Sequence, residues 1–249
     1  MTSNRFFVKS ENVHEASAVV EEEEHHHLKN VVRINPGDVV GLFDEAGFCY
    51  SARVETIGKC RTRLSVMKRE RRPVPKVEIT LAQAVVKTKI LELVLQKATE
   101  LGISAFIPVL TERTQVKIGE RRERKWIRWT KIVREAAKQS GISFLPDVSE
   151  PLPLGEVLDG YAARMKFFLN EEGGKPLREF LVPADPGKNL NFPPPSLIIL
   201  IGPEGGWTEK EREDIVDHGF EAVSLGRQIL RAETAAISSL AMINHFWNP

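Results

Sequence analysis

Hydrophobic and polar positions follow two different rhythms along this chain. In the first third, Asp38 to Phe43, Phe48 to Ile57 and Arg61 to Val66 read as short strands, separated by the turn signals Pro36-Gly37-Asp38, Glu45-Ala46-Gly47 and Gly58-Lys59. A helix is expected before them from about Glu21 to Ile34, with Leu28, Val31 and Val32 as its buried stripe. These elements predict a small β-rich barrel over residues 1–72, an architecture often used to bind RNA. The charged run Lys68-Arg69-Glu70-Arg71-Arg72 then meets Pro73 and Pro75, which marks a linker over residues 73–76.

From Val77 on, strands and helices alternate. Val77 to Val86 reads as a strand. Ile90, Leu91, Val94, Leu95, Ala98 and Leu101 fall at helical spacing, and Gly102 stops that helix. Further strands are expected at Ala105 to Leu110, Lys166 to Leu169, Leu197 to Ile201 and Ala222 to Leu225, with a long basic helix from about Glu120 to Ser140. Glu171 to Pro195 reads as loop. The strands lack period-two alternation, as strands do when helices cover both faces of a parallel sheet. Residues 77–249 are therefore predicted to form an α/β domain.

Composition narrows the function class. The 249 residues carry 35 Lys and Arg against 34 Asp and Glu, a net charge of +1, which argues against wholesale nucleic-acid coating and leaves local basic patches. One patch is Arg121, Arg122, Arg124, Lys125, Arg128, Lys131 and Arg134, interleaved with Trp126 and Trp129. It suits either phosphate contact with base stacking or a core face whose charges are merely solvated. Arg61 to Arg72 is a second patch. The two cysteines, Cys49 and Cys60, cannot form a disulfide framework and suit a reducing cytoplasm. No apolar run approaches the ~20 residues of a membrane-spanning helix, and the N-terminus lacks a signal-peptide core, so a soluble cytoplasmic protein is expected. His25-His26-His27 would point in different directions on a helix and have no second His/Cys cluster, so no metal site is expected.

Leu197 to Thr234 is the most informative passage. A buried strand opens into Gly202-Pro203-Glu204-Gly205-Gly206, Thr208 and Glu211 form a capping box, and Gly219 ends the helix that follows. Ligands of open α/β sheets sit at the carboxyl ends of strands, where glycines admit close approach to the backbone. A ligand-free glycine turn is the alternative. The loop is neither a dinucleotide fingerprint nor a P-loop. Leu225 to Thr234 forms a second such loop before an apolar helix from Ala235 to Trp247, and the two loops are expected to face one pocket. Arg231 and Glu233 there are either a structural ion pair or catalytic. Lys97 with Glu100, and Arg113 just past a strand end, are ordinary surface charges unless they meet a ligand.

IGPEGGWTEKE (Ile201 to Glu211), LGRQILRAETAA (Leu225 to Ala236), QKATELG (Gln96 to Gly102) and TERT (Thr111 to Thr114) closely resemble the RsmE family. RFF (Arg5 to Phe7) and HHLKNVVRINPGD (His26 to Asp38) resemble that family's PUA-like RNA-binding domain, so the likeness covers nearly the whole chain. It implies a SPOUT-class methyltransferase with a C-terminal trefoil knot. Such a protein works as a homodimer and methylates the N3 position of a uridine in 16S ribosomal RNA, within the small ribosomal subunit. The likeness also implies S-adenosylmethionine as cofactor, held by Leu169, Gly202, Glu204, Gly205, Gly206, Leu225, Gly226 and Leu230. RNA contact falls to Arg5, Arg33, Lys97, Arg113, Arg121, Arg122 and Arg124, and catalysis to Arg231 and Glu233. The chain departs from the family pattern at Gln228 and Ile142, where the family usually has Arg.

Uridine N3 carries a proton and is a poor nucleophile until that proton leaves. A base such as Glu233, or a cation such as Arg231 that stabilises the uridine anion, would supply what methyl transfer needs. Three competing readings are a methyltransferase for another RNA, a different α/β nucleotide-utilising enzyme, and a non-catalytic RNA-binding ribosome-assembly protein.

Overall fold

The computed structural model describes residues 4–72, 75–114, 122–142, 144–171, 173–182 and 193–248. It divides into two compact units: Met1–Val74 with Arg134–Leu145, and Pro75–Val133 with Pro146–Pro249.

The first unit is built on β1 (Arg5–Phe7), β2 (Ser17–Glu21), β3 (Val39–Phe43), β4 (Phe48–Ile57) and β5 (Arg61–Arg71), in the sheet order β1-β3-β4-β5-β2. Only the β1–β3 pairing is parallel. Among the described residues no pairing joins β1 to β2, so the predicted barrel is not closed by its edge strands. Thr62 and Leu64 are buried while Arg61 and Arg63 are exposed, which is the alternation that made the strands readable.

The expected helix is α1 (Glu22–His26) running into a π-helical turn, His27–Val32, which ends where Arg33 takes a left-handed φ of 58°. The wider π turn corrects the expected stripe. Leu28 is fully buried and Val32 partly, but Val31 is rotated outward, 64% exposed. The histidine run is structural: buried His25 accepts at Nδ1 from the Thr62 hydroxyl (2.8 Å) and donates from Nε2 to the Lys59 carbonyl (3.2 Å). The described residues hold no group of three potential metal ligands, and no helix among them is long and apolar enough to cross a membrane.

The second unit begins with β6 (Glu78–Ala84), α2 (Thr88–Glu100), β7 (Ala105–Leu110) and the first part of α3 (Arg122–Ser140). It continues through β8 (Asp147–Val148), β9 (Leu152–Pro153), α4 (Leu154–Gly160), β10 (Met165–Leu169), β11 (Lys175–Pro176) and α5 (Arg178–Leu181). It ends with β12 (Ser196–Ile201), α6 (Glu209–Asp217), β13 (Glu221–Ser224) and α7 (Ala232–Trp247). The sheet order is β11-β13-β10-β12-β6-β7-β8 with β9 also on β7, and every pairing is parallel. Leu197 to Ile201 are all buried, as an interior strand covered on both faces requires. The segment expected to be loop from Glu171 to Pro195 contains β11 and α5 in its described part.

Arg134–Leu145, which a linear division assigns to the second domain, groups with the first unit. Its Ala137 packs with Phe7 and Phe43, the Arg134 guanidinium lies over the Phe7 ring, and the nearly inaccessible Lys138 ammonium pairs with Glu24 at 2.7 Å. The helix therefore uses different residues for different cores. Trp129 is buried in the second unit, whereas Trp126 is 42% exposed, which splits the two tryptophans that the sequence left undecided.

Candidate active site

Sheet order decides which loops meet. The two glycine-bearing loops follow β12 and β13, but these strands are not neighbours: β10 lies between them. The turn after β10, Leu169-Asn170-Glu171, therefore belongs to the same site. A cavity of about 780 Å³ opens at these three carboxyl ends. All eight residues singled out for the cofactor line it: Leu169, Gly202, Glu204, Gly205, Gly206, Leu225, Gly226 and Leu230. Arg231, Glu233 and Arg113 line it as well.

Two tethers hold the β12 loop. Trp207, nearly buried, donates its indole N–H to the Leu169 carbonyl at 3.0 Å and so ties the loop to the end of β10. A Cβ on Gly202 would come within 3.1 Å of that indole, so this glycine serves the packing of Trp207. The second tether comes from β7. Arg113 donates from Nη1 to the carbonyls of Gly205 and Trp207. The Glu112 backbone N–H donates to Glu211 Oε1, while Glu211 Oε2 accepts from the Thr208 backbone N–H in the capping box at the start of α6. The TERT segment and the GPEGGWTEKE segment are thus one braced structure.

Arg231 is the N-cap of α7 and Glu233 lies in its first turn. Arg231 is exposed and Glu233 half-buried. No side chain caps α7. The start of this 16-residue helix lines the cavity, and its first N–H groups with the positive end of the helix make that wall favourable to an anion. Lys87 at the start of α2, Arg212 on α6 and Glu171 also line the cavity, and they carry no local sequence signal because only the sheet order brings these chain segments together. Gln228, the departure from the family pattern, lies at the cavity lip beside Gly226. Ile142 is half-buried in the segment that joins the first unit.

The remaining RNA candidates are dispersed. Lys97 is held by Glu100 at 2.8 Å, and Arg33 is exposed at the end of the π turn. Arg5 is turned inward: its guanidinium lies over the Phe43 ring and donates to Cys49 Sγ at 3.6 Å, and burial lowers its pKa. Arg121 lies outside the described residues, and for Arg122 and Arg124 only the backbone within α3 is described.

Comparison with known proteins agrees with this architecture. Residues 73–244 match the family model for an RNA methyltransferase domain, and residues 20–61 that for an RNA methyltransferase PUA domain. The chain is 34% identical to ribosomal RNA small subunit methyltransferase E of Synechocystis over 96% of its own length and 77% of the relative's. Against the protein of the same name from Bacillus subtilis it is 32% identical, covering 97% and 96%. The crystal structure of the Neisseria gonorrhoeae ribosomal RNA small subunit methyltransferase E bound to S-adenosyl methionine superposes with a TM-score of 0.86 at 30% identity, covering 98% of both chains. By fold, motifs and relatedness the chain belongs to the ribosomal RNA small subunit methyltransferase E family.

Proposed function

We propose that this protein transfers a methyl group from S-adenosylmethionine to N3 of a uridine in 16S ribosomal RNA, in the context of the small ribosomal subunit. One observation carries the reading: the candidate cofactor residues and the candidate catalytic pair, drawn from three strand ends, line one cavity. Its volume lies within the ~300–1,000 Å³ typical of small-molecule sites. The residues fit the cofactor. The backbone is bare at Gly205 and Gly206, the latter at φ 66°, and Leu225 and Leu230 offer apolar contact to a base. Glu171 and Glu204 offer carboxylates to its hydroxyl and ammonium groups.

Bound S-adenosylmethionine supplies an electrophilic methyl group on a sulfonium. The chain's own part is to make uridine N3 nucleophilic and to hold it in line. Glu233 accepts the N3 proton. Arg231 and the N-terminal N–H groups of α7 stabilise the negative charge that spreads over the uracil ring. The Trp207-tethered loop fixes the cavity wall against which the two reactants are held.

Three further features complete the reading. The order β13-β10-β12-β6, in which the chain passes from β12 across β10 to β13, supports a trefoil knot at the C-terminal end. Exposed Leu93 on α2 and Phe246 on α7 support a homodimer. Free Cys49 and Cys60 support a cytoplasmic location. Calorimetric titration tests the cofactor assignment. S-adenosylmethionine should bind and, at a hundredfold excess over its Kd, stabilise the fold by about 2.7 kcal/mol. The assignment fails if neither heat nor thermal shift is seen with folded protein.

A further inference from the structure

The first unit carries a second concavity, of about 410 Å³, lined by Ser10, His14, Glu15, Phe48, Tyr50 and Arg69 among others. Its floor is a prearranged stack. Arg69 places its guanidinium carbon 3.9 Å above the centroid of the Phe48 ring, and Arg71 approaches the same ring at 5.9 Å. Phe48 is directly opposite Arg71, and Tyr50 opposite Arg69, across the β4–β5 ladder, so all four side chains share one face of the sheet.

Below the stack lies an anchored hydrogen-bond chain. Asp44, 1% exposed, accepts from the Phe48 backbone N–H at 2.8 Å and from the Tyr50 hydroxyl at 2.6 Å. Burial and the Asp44 carboxylate together push the Tyr50 phenol well above its usual range, so it remains a fixed donor. Tyr50 and Phe48 are thereby held in place beneath the Arg69 guanidinium.

We propose that this groove seats an unpaired RNA base, stacked on the outer face of the Arg69 guanidinium. Arg69 is exposed, yet its guanidinium rests on the ring beneath it, and guanidinium groups and aromatics are what unstacked RNA bases settle on. A guanidinium so supported loses little freedom on binding. Glu15 and His14 on the groove wall supply an acceptor and a ring nitrogen for the polar edge of the base. A phosphate alone would find a poor site here, because Glu15 and Asp44 oppose it. The volume is that of a small-molecule site and suits one nucleotide. The inference rests on the RNA-methylating function proposed above and adds to it a base-holding subsite outside the methyl-transfer cavity.

The test is binding of 16S ribosomal RNA to the full-length protein, with ultraviolet crosslinking and mass spectrometry of the adducts. The wild type should crosslink through the segment containing Phe48 and Tyr50. Arg69→Ala should bind roughly ten- to a hundredfold more weakly, lose that crosslink, and keep its melting temperature and S-adenosylmethionine affinity. Arg69→Lys decides between stacking and charge. A stacked base leaves the lysine variant nearly as weak as the alanine variant, whereas a simple phosphate contact is restored by it. Wild-type affinity in Arg69→Ala, or rescue by Arg69→Lys, overturns the groove while leaving the methyltransferase reading intact. A wild type that binds no RNA overturns both.

Discussion

The Glu112 backbone N–H donates to Glu211 Oε1 at 2.8 Å, although the two residues are 99 positions apart. Through it the turn after β7 and the capping box of α6 share one carboxylate, and the cavity wall between them is fixed. Glu211→Ala leaves the N–H groups of Glu112 and Thr208 without their acceptor, at a cost of about 2–4 kcal/mol in unfolding free energy. Denaturant unfolding measures this. A loss below half a kcal/mol would show that water replaces the brace.

Arg113 was a candidate for RNA contact, but its guanidinium is committed to the carbonyls of Gly205 and Trp207. Arg113→Ala should therefore weaken S-adenosylmethionine binding, about tenfold for the loss of one charged hydrogen bond. The salt dependence of RNA binding should not change. A salt slope reduced by about 0.7–0.9 with unchanged cofactor affinity would return Arg113 to the RNA.

Gly202→Ala forces a methyl group against the Trp207 indole at 3.1 Å, and the indole cannot move without losing its bond to the Leu169 carbonyl. Overpacking of this kind costs about 1–3 kcal/mol. The variant should melt earlier and bind cofactor less tightly, with tryptophan fluorescence reporting a displaced Trp207.

Arg231 is exposed and, among the described residues, makes no ion pair, so its removal should leave stability unchanged. Single-turnover methylation by Arg231→Ala should fall about 100- to 1,000-fold while the Kd for S-adenosylmethionine stays within twofold. Unchanged turnover would remove Arg231 from the catalytic pair.

His218 has a raised pKa, chiefly because its Nδ1–H donates to the Asp214 carbonyl at 2.7 Å, with Asp159 facing Nε2 at 3.1 Å. A raised folded-state value means that the link between α4 and α6 is complete below the ordinary histidine pKa and is lost as pH rises through the folded value. Titration of this histidine by NMR should show a midpoint above the usual histidine range, and Asp159→Asn should lower it.

Much of this was legible in the chain because the signals are local. The capping box of Thr208 and Glu211, and the left-handed stops at Gly102 and Gly219, stand where the sequence places them, with φ of 78° and 79° at the two glycines. Both glycine loops reach one cavity although their strands are not neighbours. Chain order cannot show that β10 lies between β12 and β13, so Asn170, Glu171 and the tether from Trp207 to Leu169 were invisible. Val31 faces solvent for a related reason: the rotation that a π turn imposes depends on what packs opposite it, as does the packing of the Arg5 guanidinium over Phe43. Trp126 and Trp129 stand three residues apart in one basic stretch, and only packing separates the exposed ring from the buried one.

Methyl transfer to N3 of uridine is read out by nucleoside mass spectrometry. Purified protein is incubated with S-adenosylmethionine and unmodified 16S ribosomal RNA, free or in small subunits, and the RNA is digested to nucleosides. One 3-methyluridine per RNA is expected, absent without cofactor and strongly reduced with Arg231→Ala. Methylation of another base or another uridine position, or none at all with cofactor bound, would contradict it.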